Sequence, residues 1–291
     1  MQLKVKKDQS EQFLYNTPEF PAYFGQGRVS DFPNYTALCH WHDDVEFSVV
    51  LSGSMDYSVN GEIVRIHGGE GIFINTRQLH YNFGRDRQEG EYFCVLLHPL
   101  LLCASPYVER TFVTPLMNHP AFAYKVLRGP WGQKICEKLQ RLYERQKRPY
   151  PQLSIQAGFL EIWEELYQSV PQDAKPVKAR NQNLNALKDM IAYIQENYQQ
   201  KISLQEIAVA GNVSKTSCCK IFQKYVNQSP NAYLIEYRLR NGLELLRDTD
   251  MTVTEICFEA GFSGLSYFSE CFRKTFGCSP LEFRESSQKE K

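Results

Sequence analysis

The sequence predicts an α+β chain of two unlike halves: a β-rich N-terminal barrel or sandwich and an all-α C-terminal domain. Three observations predict it. The first hundred residues hold short runs of β-branched and aromatic residues separated by turn pairs. Two amphipathic helical stretches follow. The last hundred residues contain a segment that recurs about fifty residues later, each copy reading as a helix-turn-helix.

The strands come first. Residues 46–51 (EFSVVL), 55–59, 71–75 and 92–97 have strand composition and are separated by Ser52-Gly53, Asn60-Gly61 and Gly68-Gly69. Asn-Gly between two such runs favours a tight hairpin, since both turn residues must adopt positive φ. Several short strands at this spacing indicate a barrel or sandwich. Residues 133–148 then carry a stripe of Ile135, Leu139 and Leu142, and residues 152–170 one of Ile155, Phe159, Ile162, Trp163, Leu166, Tyr167 and Val170. These stripes either cover the barrel or pair with a second subunit. Polar residues with two prolines at 171–183 read as a linker. The expected division is therefore 1–105 barrel, 106–170 helical cover or dimerisation segment, 171–183 linker and 184–291 helical domain.

In the repeat, 202–233 aligns with 251–283. Ser203 pairs with Thr252, Glu206 with Glu255, Ile207 with Ile256, Val213 with Phe262 and Ser214 with Ser263. The second copy then has one extra residue, after which Phe222 pairs with Phe272, Lys224 with Lys274 and Ser229-Pro230 with Ser279-Pro280. Ser203 and Thr252, each followed three residues later by glutamate, have capping-box spacing. Gly211 and Gly261 suit a turn that needs positive φ, and Ser214 and Ser263 are cap types for each second helix. A helix over about 230–247, ended by Asp248-Thr249-Asp250, joins the copies. Two helix-turn-helix units at fixed separation suit double-stranded DNA, whose major-groove faces recur about every 34–36 Å. Charge does not add to this: 184–291 carries thirteen Lys/Arg and thirteen Asp/Glu, with local clusters at Lys215, Lys220 and Lys224, at Arg273 and Lys274, and at Arg238 and Arg240.

The tandem pattern and the segment EICFEAGFSGLSYFSECFRKTFGCSPLEFR resemble the AraC/XylS family of bacterial transcription regulators, over 184–284. The resemblance implies that each second helix enters the major groove. The groove-facing residues would be Lys215, Thr216, Cys219 and Lys220 in one copy and Leu265, Ser266, Ser269 and Glu270 in the other. Lys224, Arg273 and Lys274 would sit near phosphates. Two departures bear on base preference. Glu270 stands where the family often has arginine, and a carboxylate can accept from the N4 amine of cytosine. Cys218-Cys219 replaces a bulky-plus-polar pair.

In the N-terminal half, His40-Trp41-His42-Asp43-Asp44-Val45-Glu46 with Gly53, and His80 later, resembles the first cupin motif. On a straight strand His42 and Glu46 would lie about 13 Å apart. A turn at Asp43-Asp44 would let His40, His42, Glu46 and His80 share one site. The second cupin motif is degraded: Asn75 stands where proline is usual, and the glycine before the last histidine is missing. The resemblance implies a cupin-like β-barrel with flanking helices, followed by an all-α domain of two helix-turn-helix modules joined by a long helix. The first expectation is a metal-free small-molecule pocket lined by His40, His42, Glu46, His80, Trp41 and Tyr81, with no cofactor; the alternative is a divalent metal on His40, His42, Glu46 and His80. A sugar is the first effector the resemblance offers, and Tyr35 is a further aromatic candidate for the pocket.

At 291 residues and 43% hydrophobic, the chain is long enough for two domains. Its start lacks a signal-like apolar core, and no run approaches a membrane span. Nine cysteines, an odd number with no C-x-x-C pair, suggest reduced thiols and a cytoplasmic location. The expectation is a regulator with DNA, a small effector and a second copy of itself as partners, and RNA polymerase as a further candidate. The rival is a metal-dependent cupin enzyme with a helical appendage.

Overall fold

The computed structural model describes residues 15–17, 19–119, 122–170 and 182–289. The chain divides into two compact units on either side of residue 180. The expected linker at 171–183 falls almost wholly outside the described residues, since 171–181 are not among them.

The described residues of the first unit contain seven strands: β1 (Ala22–Arg28), β2 (Val45–Val59), β3 (Glu62–His67), β4 (Gly71–Ile74), β5 (His80–Phe83), β6 (Gly90–Leu97) and β7 (Tyr124–Leu127). β2 organises the barrel. Its first half pairs antiparallel with β4 and β6, and its second half with β3 and β5. The turn expected at Ser52-Gly53 is instead a bulge within one continuous strand, with a register shift between Val50 and Ser52 opposite β6. Gly53 has φ +72°, and a Cβ there would lie 2.2 Å from the Glu89 carbonyl oxygen, so only glycine passes this bend. Asn60 and Gly61, both at positive φ, turn β2 into β3.

Alternation sorts the side chains of β2 and β6 into two faces. Val45, Phe47 and Val49, with Phe93, Val95 and Leu97, enter the main core. That core is closed by α1 (Gly129–Arg145) and α2 (Gln152–Gln168). The stripes expected on these helices are spent there: Ile135, Leu139, Leu142, Ile155, Phe159, Ile162, Trp163 and Leu166 are all buried in the barrel core. A second subunit would have to use other faces. Glu46, Ser48, Tyr92 and Cys94 alternate to the opposite side, which is also buried, so these strands are apolar runs punctuated by a few polar residues.

Asn75, the departure from the cupin pattern, has a structural use. It is 1% exposed, and its side-chain amide donates to the carbonyls of Leu116, Met117 and Phe122. Proline at this position could not hold that segment to the barrel.

The second unit holds α3 (Gln182–Asn197), α4 (Leu204–Ala210), α5 (Lys215–Val226), α6 (Pro230–Asp248), α7 (Val253–Glu259), α8 (Leu265–Phe276) and α9 (Pro280–Lys289). α6 joins the two modules, with Leu234, Leu239 and Leu246 buried along it.

All nine cysteines are thiols, none of them in a disulfide. Burial is the main cause that pushes the Cys136 thiol up to about 12, and likewise Cys218 up to about 11. Both thiols should therefore resist iodoacetamide at pH 8 in the native chain and react on denaturation, because the thiolate is the nucleophile. Mass-spectrometric mapping after a brief pulse checks this. Native labelling of Cys136 at the denatured rate would mean that α1 is not seated on the barrel.

Candidate functional site

The helix-turn-helix modules are built from their caps upward. Ser203 Oγ accepts from Glu206 N, and Glu206 Oε2 accepts from Ser203 N at 2.8 Å; Thr252 and Glu255 repeat the box at 2.7 Å. These reciprocal bonds satisfy first-turn donors of α4 and α7. The first of the turns that follow differs from the sequence expectation. Gly211 has φ −85°, and the left-handed residue is its neighbour Asn212 at φ +51°. Gly211 is instead small because a Cβ would lie 2.6 Å from Met190 Cγ and 2.8 Å from the Ala186 carbonyl oxygen. In the second module Gly261 does take the left-handed conformation, at φ +83°.

The extra residue of the second copy is Gly264. Ser214 caps α5 by accepting from Ser217 N at 3.2 Å, but the N-cap of α8 is Gly264 and Ser263 makes no equivalent bond. The insertion displaces the serine from the cap, so Lys215 and Leu265 become the equivalent first residues.

On α5, Cys218, Ile221, Phe222, Tyr225 and Val226 are buried, while Lys215, Thr216, Lys220 and Lys224 are exposed and Cys219 is half-buried. On α8, Phe268 and Phe272 are buried; Leu265, Ser266, Glu270, Arg273 and Lys274 are exposed and Ser269 is half-buried. The residues expected in the grooves thus share one outward face of each helix. Gln223 and Tyr267, the latter 50% exposed, lie beside them and were missed; 3.6-residue periodicity alone locates both. Arg238 and Arg240 of α6 are taken up by partners within the domain. Arg238 donates to the carbonyls of Tyr198 and Gln200, both at 2.7 Å, and Arg240 pairs with Glu236 at 2.6 Å.

The second constellation lies in the barrel. The backbone bends at Asp43 and Asp44 just before β2, and an isolated bridge holds His40 against His80 at the start of β5. His42 Nε2 consequently lies 3.4 Å from Glu46 Oε2, and His80 Nε2 lies 3.0 Å from the same oxygen. One ligand atom from each of His40, His42, Glu46 and His80 falls within 4.8 Å of the others. The three residues His42, Glu46 and His80 are buried. Burial pushes the Glu46 carboxyl up, but the charges and hydrogen bonds of His80 and His42 outweigh it and hold the group well below the carboxylate range. Burial, reinforced by His80 and His42, holds His40 well below the usual imidazole value.

His40, Glu46 and His80 edge a half-open cleft. Phe32 and Ala37 form its apolar wall, and Tyr57, Asn82, Tyr92 and Cys94 its polar one. Tyr35, Trp41 and Tyr81 lie outside this lining. Tyr81 follows His80 on β5 and so points to the other face, where its ring sits 5.6 Å from Phe83. Sequence reading missed the polar wall. Ser48, which donates to Glu46 from behind the cleft, follows from alternation along β2, but Tyr57 and Tyr92 of the wall become neighbours only through strand register.

Comparison with known proteins adds to these two sites. Residues 207–286 match the helix-turn-helix domain family, and residues 30–96 match the cupin domain family. Over 279 residues the chain is 26% identical to the uncharacterized HTH-type transcriptional regulator YdeC of Bacillus subtilis, spanning 93% of this chain and 94% of that protein. It is 23% identical over 266 residues to the melibiose operon regulatory protein of Escherichia coli, spanning 88% of this chain and 86% of that one. The chain belongs to the AraC family. A solved structure of a probable AraC family transcriptional regulator from Rhodopseudomonas palustris is 30% identical over 35% of this chain and 97% of its own, with a TM-score of 0.34.

The expected α+β fold and family are therefore borne out: this AraC-family protein is a DNA-binding transcription regulator carrying an N-terminal cupin domain. Among the described residues no helix is long and apolar enough to cross a membrane.

Proposed function

We infer that this regulator senses a small molecule in its cupin barrel and that occupancy of the barrel sets the DNA affinity of the two helix-turn-helix modules. The observation that carries this is the cleft itself: the buried Glu46 carboxylate and the imidazoles of His40 and His80 open onto a cleft with an apolar wall and several polar groups, the mixed lining typical of a small-molecule site. Linkage requires that the effector bind the two DNA-binding states with different affinity. In this reading the protein is not an enzyme, acts as a cytoplasmic homodimer and contacts RNA polymerase at its promoters. A sugar is one effector class to screen, in keeping with the relative that serves a melibiose operon. The DNA-contacting residues are Lys215, Thr216, Cys219, Lys220 and Lys224 on α5 and Leu265, Ser266, Ser269, Glu270, Arg273 and Lys274 on α8.

The test is fluorescence anisotropy with the duplex upstream of the protein's own gene, across a salt series, with and without candidate effectors. Affinity should fall with salt, since phosphate contacts release counterions. Lys220→Ala should weaken binding and, if the ammonium meets a phosphate, lower the salt slope by about one. An unchanged affinity and slope would remove Lys220 from the interface. Absence of binding at low salt would sink the DNA-contact assignment as a whole.

A further inference from the structure

The second helices of the two modules carry opposite charges at the same place. With Phe222 aligned on Phe272, Lys220 of α5 corresponds to Glu270 of α8, and Lys215 to Leu265. Lys220 and Glu270 are each the sixth residue of their helix, and both are exposed. The front of the outward face of α8 is Leu265, Ser266, Tyr267, Ser269 and Glu270, with no cation; Arg273 and Lys274 come only in the last turn. On α5 the same face carries Lys215 and Lys220 before Lys224.

Glu270 is also uncommitted within the chain. Arg273 and Lys274 follow it by three and four residues, the spacing at which ion pairs form along a helix. Elsewhere that spacing is used: Arg240 meets Glu236 at 2.6 Å, and Lys147 meets Glu144 at 4.0 Å. Among the described residues Glu270 makes no ion pair and no hydrogen bond. Tyr267, three residues before it, is held from the side by Phe262, with the ring centroids 6.1 Å apart.

A free carboxylate on this face restricts what it can meet. Phosphates repel it, and it cannot donate to guanine O6 or N7. Two base-edge amines of the major groove remain. Adenine N6 lies beside N7, a second acceptor, which a carboxylate avoids. Cytosine N4 has no acceptor beside it on its own base, so cytosine is the better partner.

We propose that Glu270 is a specificity determinant that accepts from the N4 amine of one cytosine in the half-site of the second module. The inference rests on the reading of α5 and α8 as the DNA-contacting helices. Lys220, at the equivalent position, suits guanine or a phosphate, so the two half-sites are unlike. Neither module can replace the other on its half-site, and this fixes the register of the chain along the duplex. Leu265 adds an apolar side chain, 40% exposed, that suits a thymine methyl, where Lys215 offers a charge. The lysines of α5 supply more of the salt-dependent affinity, and the front of α8 supplies selection.

The experiment incubates the full chain with a duplex library of randomised core and sequences what is retained. The wild-type chain should enrich cytosine at one position of one half-site. On the selected duplex, changing that C·G pair to T·A should lower affinity roughly 10–100-fold by anisotropy. Glu270→Gln should move the selected base to adenine, because a carboxamide accepts from N6 and donates to N7. The same variant should bind a random duplex more tightly than wild type, since a charge that phosphates repel is gone. A gain on random DNA with a loss on the selected duplex is not produced by damage to the fold. A loss on both, or the same consensus for wild type and Glu270→Gln, overturns the proposal and leaves the DNA-contact assignment standing. Lys220→Gln should change the other half-site; a change at the cytosine instead would remove Glu270 from that position. If no duplex is retained at low salt, the DNA-contact assignment falls and the proposal with it.

Discussion

Phe272→Ala should destabilise the second helix-turn-helix module by about 3–5 kcal/mol, the usual cost of emptying a buried phenylalanine site. Its ring is fully buried on α8 and is the centre of an aromatic cluster, with Phe268, Phe276 and Phe283 at centroid distances of 5.7, 4.5 and 6.0 Å. Those neighbours come from α8 itself and from α9, so the cavity lies where the outward face of the helix is set. Loss of the ring should therefore lower both the denaturation midpoint of the helical domain and the affinity for DNA. Phe222 is the counterpart on α5, also fully buried, with Tyr233 at 5.8 Å. Circular dichroism during urea unfolding of the full chain reads the effect. A midpoint equal to wild type would mean that the cluster does not support α8.

Gly261→Ala should be the costliest single-methyl change in the turns of this domain. The left-handed backbone alone costs an alanine about 1–2 kcal/mol. An added Cβ would also lie 2.3 Å from the Tyr198 carbonyl oxygen and 2.8 Å from Gln199 Cα, both backbone atoms that cannot swing aside. The same carbonyl accepts from Arg238, so displacing it loosens the tie between α6 and the 198–200 segment. Asn212→Gly, at the left-handed position of the first module, should by contrast be nearly silent, because Asn212 is exposed. Thermal melts and anisotropy of the two variants side by side check the asymmetry. Equal effects would show that the two turns are not distinguished by crowding.

The same turns illustrate what a linear reading can and cannot see. The capping boxes at Ser203/Glu206 and Thr252/Glu255 were legible because each is a local interaction between residues three apart. Which residue takes the left-handed conformation after α4 was not, since Gly211 is kept small by Met190 and Ala186 on α3. Ser263 resembles a cap in sequence, but the added Gly264 moves it out of position. In the barrel, the pairing of His42 with Glu46 followed from spacing once the chain bends at Asp43-Asp44. Asn75 looked like a degraded motif residue and is a hydrogen-bonding hub for a segment some forty residues away.

By itself the sequence determined the class of the chain, the tandem modules with their caps and connecting helix, and the identity of four residues able to share a cluster. These depend on periodicity, local hydrogen bonding and repetition, all of which are short-range. Only the tertiary structure decided that the stripes of α1 and α2 are spent on the barrel, that Arg238 serves the domain's interior, and that Ser48 and Tyr57 hold Glu46 beside His42 and His80. Those outcomes depend on strand register and helix packing, which bring together residues from distant parts of the chain, and no local pattern encodes which of several compatible partners a side chain will meet.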